Sequence, residues 1–251
     1  MVNQTPNMWK KFDGEIVDWV ILFFIALFLL LGTYRRNSLW NSEVGLWEDC
    51  VKESPKKERT HHNLGFAYQE LGRWDDAQQE YEEALTLNPY YFLSMYNLGL
   101  VYYEKGLMDE AIDHYKKAIE LDSNSPDSFY NLGLAYYQKG LYRDAIEAYQ
   151  KCLEVKPDYE NAYVNLGLAY KRLKKREKAI QSYQEELKCH PDNVYAYVEL
   201  GVIYRERGDY PRALANFKKA LTYPDLPDAE GFRKAIASIE AAQRQKKGKE
   251  N

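Results

Sequence analysis

The sequence predicts an all-α superhelical solenoid of five 34-residue helix-turn-helix repeats, preceded by one transmembrane helix. Three observations support this fold class. A Leu-Gly dipeptide recurs every 34 residues, alanine and aromatic positions recur in phase with it, and a single long apolar stretch lies near the N-terminus. A period of this length is typical of stacked helical hairpins that pack on their neighbours. The dipeptide occurs at Leu64-Gly65, Leu98-Gly99, Leu132-Gly133, Leu166-Gly167 and Leu200-Gly201.

Composition excludes several classes of function. The 251 residues carry a net charge of -4, which argues against nucleic acid as a partner. The three cysteines are odd in number and far apart, so they predict no disulfide framework. The sequence contains no glycine-rich phosphate loop, nucleophile elbow or zinc-ligand spacing. We therefore expect a protein that is not an enzyme, with no catalytic residues, no cofactor and no metal site.

The N-terminal region is predicted to anchor the chain in a membrane. Residues 1–15 form a flank, 16–34 a transmembrane helix that contacts membrane lipid, and 35–57 a juxtamembrane helix and half repeat. The stretch from Ile16 to Gly32 is apolar except for Asp18, and basic residues flank both of its ends. A cleaved signal peptide lacks support because no small-x-small site follows. A buried helix would need protein on every side. These points favour a single-pass membrane protein.

The repeats are predicted to pack through fixed positions of the 34-residue unit. Position 1 is the first residue of each repeat, so the Leu-Gly dipeptide occupies positions 7 and 8. Positions 4, 7, 8 and 11 form one face of a first helix, and positions 20, 24 and 27 form the inner face of a second helix. Glycine at position 8 implies a close helix approach, with alanine at position 20 as its partner. Glycine at position 15 ends the first helix in four repeats. The repeats span 58–91, 92–125, 126–159, 160–193 and 194–227.

Two parts of the array depart from the regular pattern. The fourth repeat has Lys174 in place of the position-15 glycine and Glu186 in place of a small residue at position 27, so we expect looser packing there. After the fifth repeat, 228–251 is predicted to be a capping helix and tail, with Phe232, Ile236 and Ile239 on its apolar face.

Eight positions that agree in phase over five copies make the region from Glu58 to about Pro227 resemble the tetratricopeptide repeat (TPR). The resemblance implies a superhelix whose first helices line a concave groove. It also implies that the groove binds a protein or peptide partner.

The groove positions are predicted to form a peptide-binding site. The site residues are Asn63, Asn97, Asn131 and Asn165 at position 6, with Tyr96, Tyr103, Tyr130 and Tyr137 at positions 5 and 12. This asparagine series resembles the repeats of O-GlcNAc transferase, which implies that the carboxamides hold an extended peptide backbone. The alternative is that asparagine serves local hydrogen bonding at this position and the partner binds elsewhere.

The junction before the first repeat carries a second resemblance. Tyr34–Ser42 and Leu46–Pro55 are similar to the segment that joins the last span to the repeats in membrane-bound TPR proteins related to O-mannosyltransferases. The likeness implies a membrane-proximal helix packed on the array and favours an extracytoplasmic side for the repeats. It implies no transferase activity, since the sequence lacks that family's multi-span part.

These observations leave three functional hypotheses. The first is a membrane-anchored scaffold or adaptor that recruits a protein or peptide through its groove. The second is a non-catalytic accessory component of a membrane glycosyltransferase system. The third is a spacer or scaffold that self-associates. A basic turn, Lys171–Lys178, is either a solvated edge or a contact for anionic lipid or an acidic partner.

Overall fold

The computed structural model describes residues 27–28, 42–224, 226 and 228–250, and these ranges contain helices and turns but no strand. Twelve helices lie within residues 42–250. They are α1 (Glu43–Glu53), α2 (Glu58–Glu70), α3 (Trp74–Leu87), α4 (Phe92–Glu104), α5 (Met108–Leu121), α6 (Pro126–Gln138), α7 (Tyr142–Val155), α8 (Ala162–Arg172), α9 (Arg176–Cys189), α10 (Val194–Glu206), α11 (Tyr210–Ala220) and α12 (Ala229–Glu250).

The helices divide into two compact units, the first ending at Pro89 and the second beginning at Tyr90. In the first unit, α1 packs on α2 and α2 on α3. In the second unit, each helix from α4 to α12 packs on the next helix along the chain. The helix pairs α4–α6 and α6–α8 are also in contact. Nearest-neighbour packing of this kind is typical of helical repeats.

Within each repeat, the position-8 glycine makes room for the aromatic ring at position 24. A Cβ atom added to Gly133 would lie 2.5 Å from Tyr149 Cε1, and one added to Gly99 would lie 2.8 Å from Tyr115 Cδ1. The five position-24 rings and the five position-20 alanines are fully buried. The predicted close approach is confirmed, but the ring at position 24, rather than the alanine at position 20, is the group that a larger residue would meet first.

The turns between paired helices need a left-handed residue. Four repeats use glycine, with φ between +68° at Gly72 and +81° at Gly140, as the sequence predicts. The fourth repeat places Lys174 in the same conformation, with φ +58°. Lysine adopts this region rarely, because its Cβ crowds the backbone there.

Several helices begin at residues that can cap them. The Ser125 hydroxyl accepts a hydrogen bond from the Ser128 N–H at 3.2 Å, and Pro126 occupies the first turn of α6. A capping serine followed by proline in the first turn is a favourable helix start. At the start of α1, the Ser42 hydroxyl accepts from the Gly45 N–H at 3.1 Å.

The larger residue in the fourth repeat is buried in the core. Glu186, Ala179 and Tyr183 are all fully buried. Glu186 Oε1 accepts a hydrogen bond from Asn193 Nδ2 at 2.8 Å and lies 3.0 Å from His190 Nδ1. Glu186 Oε2 has no hydrogen-bond partner among the described residues, so the polar neighbours satisfy only one of the two carboxylate oxygens. The expectation of looser packing in the fourth repeat stays a prediction.

The last helix covers the end of the fifth repeat. The Phe217 and Phe232 rings lie 5.6 Å apart, and Ile239 is 4% exposed. These contacts join α12 to α11, so apolar residues predicted for the capping helix face the core.

A correction concerns the predicted membrane anchor. Of the stretch 16–34, only residues 27–28 are described, and the rest lies outside the described residues. Among the residues that are described, no helix has both the length and the apolar composition to cross a bilayer. The longest, α12, has 22 residues but carries charges along its length, whereas a span needs about 20 predominantly apolar residues. The predicted single-pass membrane protein, with lipid contact through 16–34 and extracytoplasmic repeats, is therefore not supported.

Candidate functional site

The predicted site residues of the second unit lie on the first helices of three successive repeats. Positions 5, 6 and 12 share one side of each helix, because a spacing of seven residues is close to two helical turns. Six of these seven residues, all except Asn97, are half-buried and so reach the surface. We call the surface that they form the first-helix face. It consists of Tyr96 and Tyr103 on α4, Tyr130, Asn131 and Tyr137 on α6, and Asn165 on α8.

One row of hydrogen bonds joins neighbouring repeats across this face. Asn131 Nδ2 donates to the Tyr96 hydroxyl oxygen at 2.7 Å. One repeat later, Asn165 Nδ2 donates to the Tyr130 hydroxyl oxygen at 2.8 Å. Position 6 of one repeat is thus bonded to position 5 of the repeat before it, so the asparagines hold successive first helices together.

A second row lies two helical turns further along the same helices. Arg172 Nε donates to the Tyr137 hydroxyl oxygen at 3.0 Å, and Gln138 Nε2 lies 3.5 Å from the Tyr103 hydroxyl oxygen. These bonds join position 13 of one repeat to position 12 of the repeat before. All four tyrosine hydroxyls are therefore held in place by a side chain from the next repeat.

The asparagine side chains keep unused hydrogen-bonding capacity. A carboxamide has two N–H groups and one carbonyl oxygen. Within the described part of the chain, Asn131 bonds through its side chain to Tyr96 alone and Asn165 to Tyr130 alone. Each side chain thus retains one N–H and its carbonyl oxygen, which is the combination that pairs with a peptide group.

The other two predicted asparagines differ from this pair. Asn97 on α4 is 9% exposed, so its side chain has little access to a ligand. Asn63 lies on α2 in the first unit and is half-buried. The structure therefore brings together Asn131, Asn165 and the four predicted tyrosines, and leaves Asn97 beneath the surface.

Tyr159 is a residue of this region that the sequence analysis missed. Its ring lies 4.8 Å from the Tyr130 ring, and its hydroxyl donates to Asp127 Oδ1 at 2.7 Å. Tyr159 follows α7 in a loop, so it falls outside the helical periodicity on which the site was predicted. The available signal was an aromatic residue at position 34, directly before the next first helix.

The Tyr96 and Tyr130 phenols act as hydrogen-bonding groups and not as bases. Burial raises the pKa of Tyr96 to about 12, with a further rise from the Asp127 charge and a partial offset from the Asn131 donor. Burial also raises the pKa of Tyr130, and the Asn165 donor opposes the rise. Both hydroxyls therefore remain neutral at physiological pH.

The aromatic surface gives way to charged side chains at the fourth repeat. Positions 5 and 12 are Val164 and Lys171 there, and Glu199 replaces asparagine at position 6 of the fifth repeat. Lys171 Nζ and Glu199 Oε2 form an ion pair at 2.6 Å. An ion pair thus replaces the Asn–Tyr bond at this junction.

Cys152 and His61 could in principle act as a nucleophile or a metal ligand, but their contacts fit a role in the fold. Burial raises the pKa of Cys152 to about 12, which keeps the thiol protonated and unreactive. His61 contacts Glu80 Oε2 at 2.7 Å and the Pro55 carbonyl oxygen at 3.0 Å. Among the described residues, no group of three or more His, Cys, Asp or Glu side chains could hold a metal ion.

The helical hairpins and their hydrogen-bonded first-helix face define a repeat scaffold, and comparison with known proteins identifies its family. Models described as TPR repeat and Tetratricopeptide repeat match residues 67–106, 101–140, 126–159 and 158–223. Together these matches span more than half of the chain. The protein belongs to the tetratricopeptide-repeat family.

Individual relatives show how far the likeness extends. MamA, whose crystal structure is known, shares 31% sequence identity with this chain. The match covers 63% of this chain and 93% of MamA, with a TM-score of 0.61. YrrB, described as a TPR protein with an unusual peptide-binding site, is 22% identical over 71% of this chain and 93% of that chain, with a TM-score of 0.61. Its likeness shows the fold alone.

One curated protein matches a shorter region. Protein O-mannosyl-transferase F38B6.6 of Caenorhabditis elegans is 29% identical over 85 residues, which is 34% of this chain. The matched region is 12% of that protein, so this chain spans about an eighth of the curated relative's length.

Proposed function

We propose that this protein is a non-catalytic scaffold that binds an extended segment of a partner protein on the first-helix face. The observation that carries this proposal is the pair of Asn–Tyr hydrogen bonds. They fix the carboxamides of Asn131 and Asn165 one repeat apart and leave each with a free N–H and carbonyl oxygen. A side chain fixed before binding loses less entropy when a ligand arrives.

The chemistry of this face suits a peptide backbone. A carboxamide can donate to a peptide carbonyl and accept from a peptide N–H whatever side chains the peptide carries. The four tyrosines add rigid contact area with few rotatable bonds. The resemblance of the asparagine series to the O-GlcNAc transferase repeats supports the same mode of binding.

The competing interpretation is that the asparagines serve only to join the repeats. Two sets of substitutions separate these roles. Tyr96→Phe with Tyr130→Phe removes the inter-repeat bonds but keeps both carboxamides. Asn131→Ala with Asn165→Ala removes the bonds and the carboxamides together. A peptide that needs the carboxamides will tolerate the first change far better than the second.

The experiment selects unstructured peptides from a phage-displayed library on the full chain and measures their affinities for the variants. We expect selected peptides to lose roughly tenfold or more in affinity with Asn131→Ala and Asn165→Ala. The phenylalanine variant should bind more tightly than the alanine variant. Asn216→Ala is the matched control, because Asn216 lies on α11 and bonds only to the Arg212 carbonyl oxygen among the described residues. Unchanged affinity in the alanine variant would refute the proposal.

The match to a protein O-mannosyl-transferase favours a second candidate function. Under it, the protein is a non-catalytic accessory component of a protein O-mannosylation system. The supporting observation is the 29% identity over 85 residues. The test is co-purification of the full chain with an O-mannosyl-transferase and mannosyl transfer measured with and without it. Equal transfer and no co-purification would eliminate this candidate.

A role as a self-associating scaffold stays a prediction. Sedimentation velocity of the full chain over a hundredfold concentration range tests it directly. A single species at the monomer mass throughout would exclude self-association at those concentrations, whereas a shift to larger species would support it.

A further inference from the structure

A strongly basic cleft lies at the turns of the fourth and fifth repeats. It is open to solvent and has a volume of about 750 Å³. Its lining consists of five cationic residues and one acidic residue, all of them exposed. They are Lys174, Lys175, Arg176, Lys178, Arg207 and Glu177.

The positive charge of the cleft is only partly neutralised. Glu177 Oε1 pairs with Arg207 at 2.6 Å, and Arg176 lies 3.7 Å from Glu206 Oε2. Within the described part of the chain, the three lysines have no acidic partner. The Lys178 ammonium lies 5.5 Å over the Tyr170 ring, which is a contact that leaves its charge in place. The cleft therefore keeps a surplus of about three positive charges on a protein whose net charge is -4.

Two of these lysines stand where other repeats have residues better suited to the local structure. Lys174 adopts φ +58°, a conformation for which the other four repeats use glycine. Lys178 occupies position 19 in the first turn of α9. Repeats 1 to 3 carry Asp76, Glu110 and Asp144 at this position, and a negative charge in the first turn favours the helix. Residues that break a local structural preference are typical of functional surfaces.

We propose that this cleft binds an acidic segment of a partner protein. The carboxylates of such a segment would supply the negative charge that the three unpaired lysines lack. The proposal is independent of the proposed function, because no residue of the cleft belongs to the first-helix face.

The distribution of the cations favours an acidic peptide. The open cleft spans two successive turns of the second unit. A single phosphate ion would need donors that converge on one point. Here the cations are distributed over two turns, from Lys174 in one to Arg207 in the next. Several carboxylates along one chain match that distribution.

The test measures the binding of a fluorescein-labelled peptide of alternating glutamate and glycine to the full chain by fluorescence anisotropy. A peptide with glutamine in place of glutamate is the reference. The variant is Lys174→Gly with Lys178→Asp, which restores the residue types that other repeats use and so preserves the fold. The control is Lys116→Glu with Lys188→Gln, which changes the net charge equally at exposed positions on α5 and α9.

We expect the glutamate peptide to bind the wild-type protein and the control with similar affinity, and the cleft variant at least about tenfold more weakly. The affinity should fall as salt is raised, because the charges are exposed. Equal binding of the glutamine peptide, or an equal loss in the control variant, would overturn the proposal. Binding of phosphatidylserine vesicles or inorganic phosphate through these lysines, without binding of the glutamate peptide, would also overturn it.

Discussion

Asn131 donates a hydrogen bond of 2.7 Å to the hydroxyl of Tyr96, a residue 35 positions earlier in the chain. The same bond recurs one repeat later between Asn165 and Tyr130 at 2.8 Å. A spacing of one repeat plus one residue places the two side chains at the seam between neighbouring first helices. The bonds therefore stabilise the contact between repeats and orient the carboxamides at the surface.

Tyr96→Phe tests the structural part of this relationship. The change removes the acceptor of the Asn131 N–H, and a typical hydrogen bond of this kind contributes about 0.5–1.5 kcal/mol. We expect the free energy of unfolding in urea to fall by about that amount. Tyr136→Phe is the control, because the Tyr136 hydroxyl has no hydrogen-bond partner among the described residues, so little change is expected. Equal effects of the two substitutions would show that the bond contributes nothing.

The sequence predicted the repeats, because they depend on spacing along the chain. The same spacing placed the candidate site residues on the first helices, and their role in binding stays a prediction. The bond partner of Asn131 was not predictable in this way. It depends on how two first helices are offset in space, which places position 6 beside position 5 of the previous repeat. Tyr159 was missed for a related reason, since a loop residue has no helical periodicity.

Glycine at position 8 illustrates a prediction that was correct in kind but assigned the wrong neighbour. The cost of glycine in a helix indicated a close approach, and the structure places the position-24 ring there. The sequence could not distinguish the ring from the position-20 alanine, because both recur in every repeat. Which one faces the glycine is set by the packing of the two helices.

Gly133→Ala should therefore destabilise the third repeat. The added Cβ would lie 2.5 Å from Tyr149 Cε1, and the Tyr149 side chain is fully buried. Overpacking of this kind costs roughly 1–3 kcal/mol, against a gain of at most about 1 kcal/mol in helix propensity. Denaturant unfolding gives the difference. Adding Tyr149→Leu should make the combined loss smaller than the sum of the single losses, and strict additivity would contradict the steric explanation.

Lys174→Gly should stabilise the protein. Lysine at φ +58° carries a conformational penalty of about 1–2 kcal/mol that glycine does not, partly offset by glycine's greater chain entropy. The net gain should be about 1 kcal/mol. Gly140→Lys is the reciprocal test, because Gly140 has φ +81° and no atom within 4 Å of an added Cβ. It should lose a similar amount. Calorimetry should show a higher melting temperature for Lys174→Gly and a lower one for Gly140→Lys. Changes in the same direction would contradict the argument.

His62 predicts a pH dependence in the first unit. Burial, with a smaller contribution from the Arg59 charge, lowers its pKa from 6.5 to about 4. The unfolded chain therefore binds a proton more readily between these values, so stability is complete above pH 6.5 and falls as the pH drops toward 4.

The loss from His62 alone should be about 2 kcal/mol at pH 5, given 1.36 kcal/mol per pKa unit. His62→Val removes this titration and introduces the residue that stands at the same position in the fourth and fifth repeats, Val164 and Val198. Other titrating groups act equally on both proteins. Urea unfolding at pH 7 and pH 5 should therefore show a smaller decline in the variant than in the wild type. If the free energy of unfolding fell equally in both proteins between pH 7 and pH 5, protonation of His62 would not destabilise the fold.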